Sequence, residues 1–198
     1  MVFRKLKRRR EKKTDYHQRL ALLKSGLPRL VVRKSNRYIR VQLVEYEPKS
    51  DKVIFTLLSK RLRDYGWNYS FANTPAAYLT GLIAGFLARK KGYEKAVLDI
   101  GLQRSTRGNR IYAVVKGCID AGLEVPHGVE VLPSEERIRG EHIAAYAKLL
   151  REKDKERYEK QFSGYLKRNV LPEAIPELFE QVKQRIVEEF GGDDGRAK

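Results

Sequence analysis

The stretch Thr74–Gly92, TPAAYLTGLIAGFLARKKG, constrains the fold of this chain more than any other. Thr74 followed by Pro75 opens a helix with a cap and a proline at its first position. Arg89-Lys90-Lys91 before Gly92 closes it. From Ala76 to Ala88 the run is apolar, interrupted by Thr80 and two glycines, and falls short of the ~20 residues a membrane crossing needs. It therefore belongs inside a folded body. Gly81 and Gly85, with Ala77 and Ala88, make a stripe of small residues that suits close packing of the helix on a sheet.

The flanking segments supply that sheet. Upstream, PRLVVRK runs to a turn signal at Ser35-Asn36. RYIRVQLVEY then alternates Ile39, Val41 and Leu43 against Arg40, Gln42 and Val44. After the turn Pro48-Lys49-Ser50-Asp51, KVIFTLLS is apolar on both faces and reads as a central strand. The short linkers predict antiparallel hairpins. Downstream, KAVLDIGL reads as a buried strand, QRSTRGNR as a polar loop and RIYAVVKGCIDAGL as a second helix ending near Gly122. A meander followed by strand and helix in alternation predicts an α/β three-layer sandwich, a mixed sheet with helices on both faces.

The 198 residues suit one domain of ordinary size with terminal extensions. The expected divisions are a basic arm and first helix (1–27), the α/β core (28–132), a C-terminal helical extension packed on the outside (133–190) and a disordered tail (191–198). The extension carries SEERIRGEHIAAYAKLLREK, then Tyr158, Phe162 and Tyr165 at helical spacing, then PELFEQVKQRIVEEF.

Charge is distributed unevenly. Residues 1–40 hold 15 Lys/Arg against 2 acids, and residues 151–198 hold 11 of each, in a chain whose net charge is +17. A general solubility device has no reason to be so lopsided. Met1 to Lys13, with eight Lys/Arg and one acid, reads as an extended arm, and Thr14 as the cap of a helix whose Leu20, Leu23 and Leu27 face the body. The plain alternative is a solvated tail. The arginines, which fit phosphate bidentately, and the Tyr-His-Gln-Arg start of the helix favour nucleic acid, with Tyr16 and Arg19 facing it.

Two further segments present cations. The turn Arg33-Lys34-Ser35-Asn36-Arg37-Tyr38 combines three cations, two small polar side chains and an aromatic ring, enough to grip a backbone and stack a base. The loop Gln103–Arg110 follows a buried strand and precedes a helix, where α/β sheets place ligands, so Arg104 and Arg107 are candidates too; a solvent loop competes with that reading. Trp67 is expected to pack in the core, leaving Lys60, Arg61 and Arg63 at the surface.

Other chemistry is poorly supported. Cys118 is the single cysteine, and His17, His127 and His142 share no metal spacing with it or one another. No nucleotide-binding glycine pattern and no nucleophile elbow occur. Asp99, with Asp120 and Glu124 downstream, leaves a metal-dependent ribonuclease as the enzyme alternative, though the sheet offers only one acid. A free RNA chaperone is a third reading. No signal peptide or spanning segment is expected, so the reading is soluble and intracellular, with no cofactor, metal or small-molecule substrate.

Several stretches together resemble one family: RRREKKTDYHQRLALLKSGLPRLVVRKSNRYIRVQLVEY, YGWNYSFANTPAAYLTGLIAG, VLDIGL, KGCIDAGLEVPHG and EERIRGEHIAAYA. It is the archaeal and eukaryotic branch of the universal large-subunit ribosomal protein eighteen family, and the neutral tail without a long extension resembles its archaeal side. The resemblance implies a ribonuclease-H-like fold without the catalytic carboxylates and no enzyme activity. It implies a cytoplasmic structural protein of the large ribosomal subunit. Its implied partners are 5S rRNA, 23S rRNA and neighbouring ribosomal proteins, including the other 5S rRNA-binding protein. By the same resemblance, Arg8, Arg9, Arg10, Lys12, Lys13, Thr14, Tyr16, Arg33, Lys34, Ser35, Asn36, Arg37 and Tyr38 are implied RNA contacts; the loop carrying Arg104 and Arg107 resembles the family less closely.

Overall fold

Strand β1 (Arg29–Lys34) starts directly after Pro28, and its side chains alternate between two faces. It pairs antiparallel with β2 (Ile39–Glu45), from Arg29 opposite Val44 to Lys34 opposite Ile39. Strand β3 (Lys52–Leu58) continues the meander beyond β2, and β4 (Val97–Asp99) lies parallel to β1 on the other side. The result is a mixed sheet of order β3-β2-β1-β4. The computed structural model of the protein describes residues 6–191.

The expected sandwich is present. Leu30, Val32, Ile39, Val41 and Leu43 form the buried face, covered by α3 (Thr74–Lys90) and α4 (Arg110–Asp120). Arg29, Val31, Arg33, Gln42 and Val44 form the opposite face, against which lies α2 (Tyr16–Leu23), preceded by the single turn α1 (Lys7–Arg10).

Strand β3 differs from expectation: it is an edge strand, with Val53 49% exposed. A bulge beside Leu43/Val44 sets two consecutive side chains, Ile54 and Phe55, against the core. The strand thus reads as apolar on both faces without being central. Helix α3 is capped by Asn73, whose Oδ1 accepts from Ala76 N at 2.9 Å, while Thr74 is already helical.

The small-residue stripe of α3 meets a helix rather than the sheet. A Cβ on Gly81 would lie 2.8 Å from Val114 Cα and collide with the Val114 carbonyl. From the other side, a Cβ on Gly117 of α4 would lie 2.7 Å from Leu82 N. Cys118 sits in this seam, donating to Gly81 O at 3.2 Å, and complete burial pushes its thiol up to about 12.

After α4 come α5 (Glu135–Arg139), α6 (Glu141–Lys153), α7 (Lys155–Gln161), α8 (Ser163–Leu166) and α9 (Ile175–Gly191). Ala147, Leu150, Tyr158 and Phe162 form a small separate cluster here. Helix α9 is more than an outer layer. Its Ile175, Phe179, Val182 and Ile186 join the core under α3, with the Phe179 ring 5.6 Å from Tyr78. Trp67 is fully buried, as expected, its Nε1 donating to Ser70 O. Among the described residues no helix is long and apolar enough to cross a membrane. The tail expected to be disordered lies outside the described residues, apart from Gly191, which closes α9.

Candidate nucleic-acid interface

Two strand-borne arginines start the site. The alternation of β1 sends Arg29 and Arg33 to the open sheet face, and the parallel register puts Asp99 of β4 between them. Arg29 donates to Asp99 Oδ2 at 2.7 Å, and Arg33 to Asp99 Oδ1 at 2.9 Å and to the Asp99 carbonyl at 2.6 Å. The chain of charges continues outward. Arg29 also donates to Asp51 Oδ2 at 2.6 Å, and Asp51 receives both terminal nitrogens of Arg19 at 2.8 and 2.9 Å. Five side chains of alternating sign, Arg19–Asp51–Arg29–Asp99–Arg33, thus tie α2 to the sheet.

Burial would raise the Asp99 carboxyl, but the hydrogen bonds and charges of Arg33 and Arg29 outweigh it and hold the group below its ordinary value. Its oxygens are further occupied by Gly101 N at 2.9 Å, in a turn where Gly101 has φ +60 and a Cβ would strike the Arg33 guanidinium. The other two acids of the nuclease alternative serve elsewhere. Asp120 accepts from the Tyr78 hydroxyl and Lys116, both at 2.8 Å, and Glu124 pairs with Lys95. Among the described residues no group of three or more His, Cys, Asp and Glu could hold a metal ion.

The N-terminal segment is organised rather than extended from Lys7 onward. Arg8 Nε donates to Thr14 Oγ1 at 2.9 Å, and Lys12 takes a left-handed φ of 51 where the chain leaves α1. Asp15, not Thr14, caps α2: Oδ1 of Asp15 accepts from His17 N and Gln18 N, a shorter reach than the Thr14 hydroxyl would have. Helix α2 has no fully buried residue: Leu20, expected to face the body, is 57% exposed, while Leu22, Leu23 and Leu27 are half-buried, so the Arg19 ion pair adds to a partial leucine contact. Arg9, Arg10, Lys12 and Lys13 are exposed, and Tyr16 is half-buried.

The hairpin tip divides into two kinds of residue. Ser35 organises it, its hydroxyl donating to Tyr38 O and accepting from Arg37 N and Tyr38 N. Asn36 and Arg37 project outward and exposed. Lys34, in contrast, donates to Asn109 Oδ1 at 3.1 Å, and its backbone N–H to Gln103 Oε1. Those bonds, with Gln103 Nε2 on Val32 O, bring the Arg104–Arg107 loop alongside the hairpin. Arg104 is exposed there, and Arg107 pairs with Glu130 at 2.7 Å in a contact exposed at both ends.

Two participants were not legible as such in the sequence. Phe71 stacks on Tyr38, centroids 6.0 Å apart and planes 24° from parallel, and Arg63 lies 5.9 Å from the Phe71 centroid. Asp51 is the other, an acid in a polar turn whose partners are distant in sequence. Arg8, Lys13, Gln18, Arg19 and Arg33 line a cleft of about 680 Å³ between α2 and the sheet, so the arm and β1 contribute to one surface.

Residues 3–95 and 87–128 match the family described as ribosomal large subunit proteins 60S L5, and 50S L18. A curated relative, the large ribosomal subunit protein uL18 of Korarchaeum cryptofilum (strain OPF8), is 54% identical over 182 residues, covering 92% of each chain. The chain belongs to the uL18 family. It is an archaeal-type member, a structural protein of the large ribosomal subunit and not an enzyme. In this uL18 protein the acid of β4, Asp99, is occupied by two arginines.

Proposed function

We propose that the protein binds 5S rRNA and helps attach it to 23S rRNA in the cytoplasmic large subunit, beside neighbouring ribosomal proteins that include the other 5S rRNA-binding protein. The observation that supports this best is the convergence of separate cationic segments. The arm contributes Arg8 and Lys13 to the cleft that Arg33 also lines, and the hairpin tip with Arg37 is stitched to the Arg104 loop. Arg9, Arg10, Lys12 and Lys13 would follow phosphates, and Arg37 with Asn36 would reach a second stretch of backbone. Tyr16 and Tyr38 offer rings for stacking, and Thr14 positions Arg8. Arg19, Arg33, Lys34 and Ser35 serve the RNA through the positions they fix, because each already bonds within the protein.

Deleting residues 1–13 tests the reading. The deletion is expected to weaken 5S rRNA binding and to make its dependence on salt shallower, since fewer counterions are released. Unchanged affinity and slope would sink it.

A further inference from the structure

The ladder Arg19–Asp51–Arg29–Asp99–Arg33 contains two anions beside the cleft proposed above to take RNA. Asp51 is the rung that matters for the arm. It is the only residue that links α2 to the sheet by ion pairing among the described contacts, taking Arg19 on one side and Arg29 on the other. Its side chain is 25% exposed, whereas that of Arg29 is 5% exposed and has an Nε with no hydrogen-bond partner. Arg29 is therefore fixed and desolvated, and its two carboxylates are what make its burial tolerable. Helix α2 has no fully buried residue, and beyond the Arg19 pair the half-buried Leu22 and Leu23 hold it in place. The arm follows from α2 through Asp15, Thr14 and the Arg8–Thr14 bond, so the pose of Arg8 and Lys13 at the cleft depends on where α2 sits.

We propose that Asp51 is a positioning residue for RNA binding: an anion that strengthens the capture of a polyanion by docking the arm-bearing helix on the sheet. The proposal rests on the RNA-binding reading above and adds a consequence of opposite sign to simple electrostatics. Removing a negative charge from a protein of net charge +17 should tighten RNA binding if Asp51 acts only through its charge. If Asp51 acts by docking α2, removing it weakens binding, because the arm must then be ordered at the expense of RNA contacts.

The test uses Asp51→Asn and Asp51→Glu in the full chain, with 5S rRNA binding followed across salt concentrations. Asp51→Asn is expected to lose roughly tenfold in affinity and to show a shallower salt slope, while Asp51→Glu restores both. A second measurement needs no RNA. Labels on Ala21→Cys and Thr56→Cys, both at exposed positions while Cys118 is buried, report the distance from α2 to β3. Asp51→Asn should broaden that distance distribution, and so should Arg19→Gln, which leaves the Arg29–Asp51 pair in place if Asp51→Asn does not fold. Equal or tighter RNA binding by Asp51→Asn, or an unchanged distance in the variants, overturns the proposal. Failure of the wild-type protein to bind 5S rRNA would instead overturn the proposed function, and the distance measurement would still decide whether Asp51 docks the helix.

Discussion

Arg33 grips Asp99 twice, through the carboxylate Oδ1 at 2.9 Å and through the backbone carbonyl at 2.6 Å. A side chain that the sequence offers as a free cation beside a turn is thus a clamp between β1 and β4. Arg37, four residues on, is exposed.

The two arginines should separate in experiment. Arg37→Ala is expected to weaken 5S rRNA binding and leave thermal unfolding unchanged. Arg33→Ala should instead lower stability by roughly 1 kcal/mol, a charged hydrogen bond discounted for its 40% exposure. Denaturant unfolding beside a binding titration checks both. Equal effects of the two on stability would contradict the division.

Acid should expose the same clamp. Asp99 has a folded pKa below its ordinary 3.8, so the unfolded chain binds more protons than the folded one as pH falls past that value. Its contribution is complete above 3.8, and is lost as pH drops through the folded pKa. Asp99→Asn should lower stability at neutral pH and flatten the decline at acid pH. Unfolding midpoints measured between neutral and strongly acid pH read this out, and a variant with the wild-type slope would remove Asp99 from the account.

Local patterns made most of the architecture legible. The alternation of Ile39, Val41 and Leu43, the turn signals and the Pro75-to-Gly92 boundaries all reappear, because each depends on neighbours within one element. What failed depends on distant partners. Whether KVIFTLLS is central is decided by what pairs beyond it, and a bulge that sends Ile54 and Phe55 to one side leaves no mark in composition. The candidate site shows the same limit. Arginines can be counted in sequence, but Asp51 and Asp99 decide which of them remain available, and those pairs span 22 to 70 residues.

The seam between α3 and α4 gives a stability prediction. Gly81→Ala would set a methyl group against the Val114 backbone, and Gly117→Ala would do so against Leu82 N. Backbone on both sides cannot move aside as a flexible side chain could, so each should cost about 1–3 kcal/mol or more. Gly92→Ala is a useful contrast: no atom lies within 4 Å of its added Cβ, and its penalty comes only from φ +82. If Gly81→Ala unfolds no more easily than Gly92→Ala, the helices do not approach as closely as the structure has them.

The stack of Tyr38 on Phe71 makes a prediction that joins packing to binding. Phe71 is partly buried against the core, whereas Tyr38 sits outside that cluster and meets it through the Phe71 ring. Arg63, 5.9 Å from the Phe71 centroid, adds a cation to the same group. Phe71 therefore fixes the direction in which Tyr38 presents its ring at the hairpin. Phe71→Leu keeps an apolar side chain on the core but removes the flat support, so it should weaken 5S rRNA binding with only a small loss of stability. Tyr38→Phe should bind nearly as well as the wild type if stacking is what matters, since the ring is retained. Tyr38→Ala should lose about 1–3 kcal/mol of binding, the usual worth of one stacked base. Titrations of the three variants against 5S rRNA, each with a thermal melt, check the order. Binding that fails as badly with Tyr38→Phe as with Tyr38→Ala would point to the hydroxyl, and binding that survives Tyr38→Ala would reject the stack.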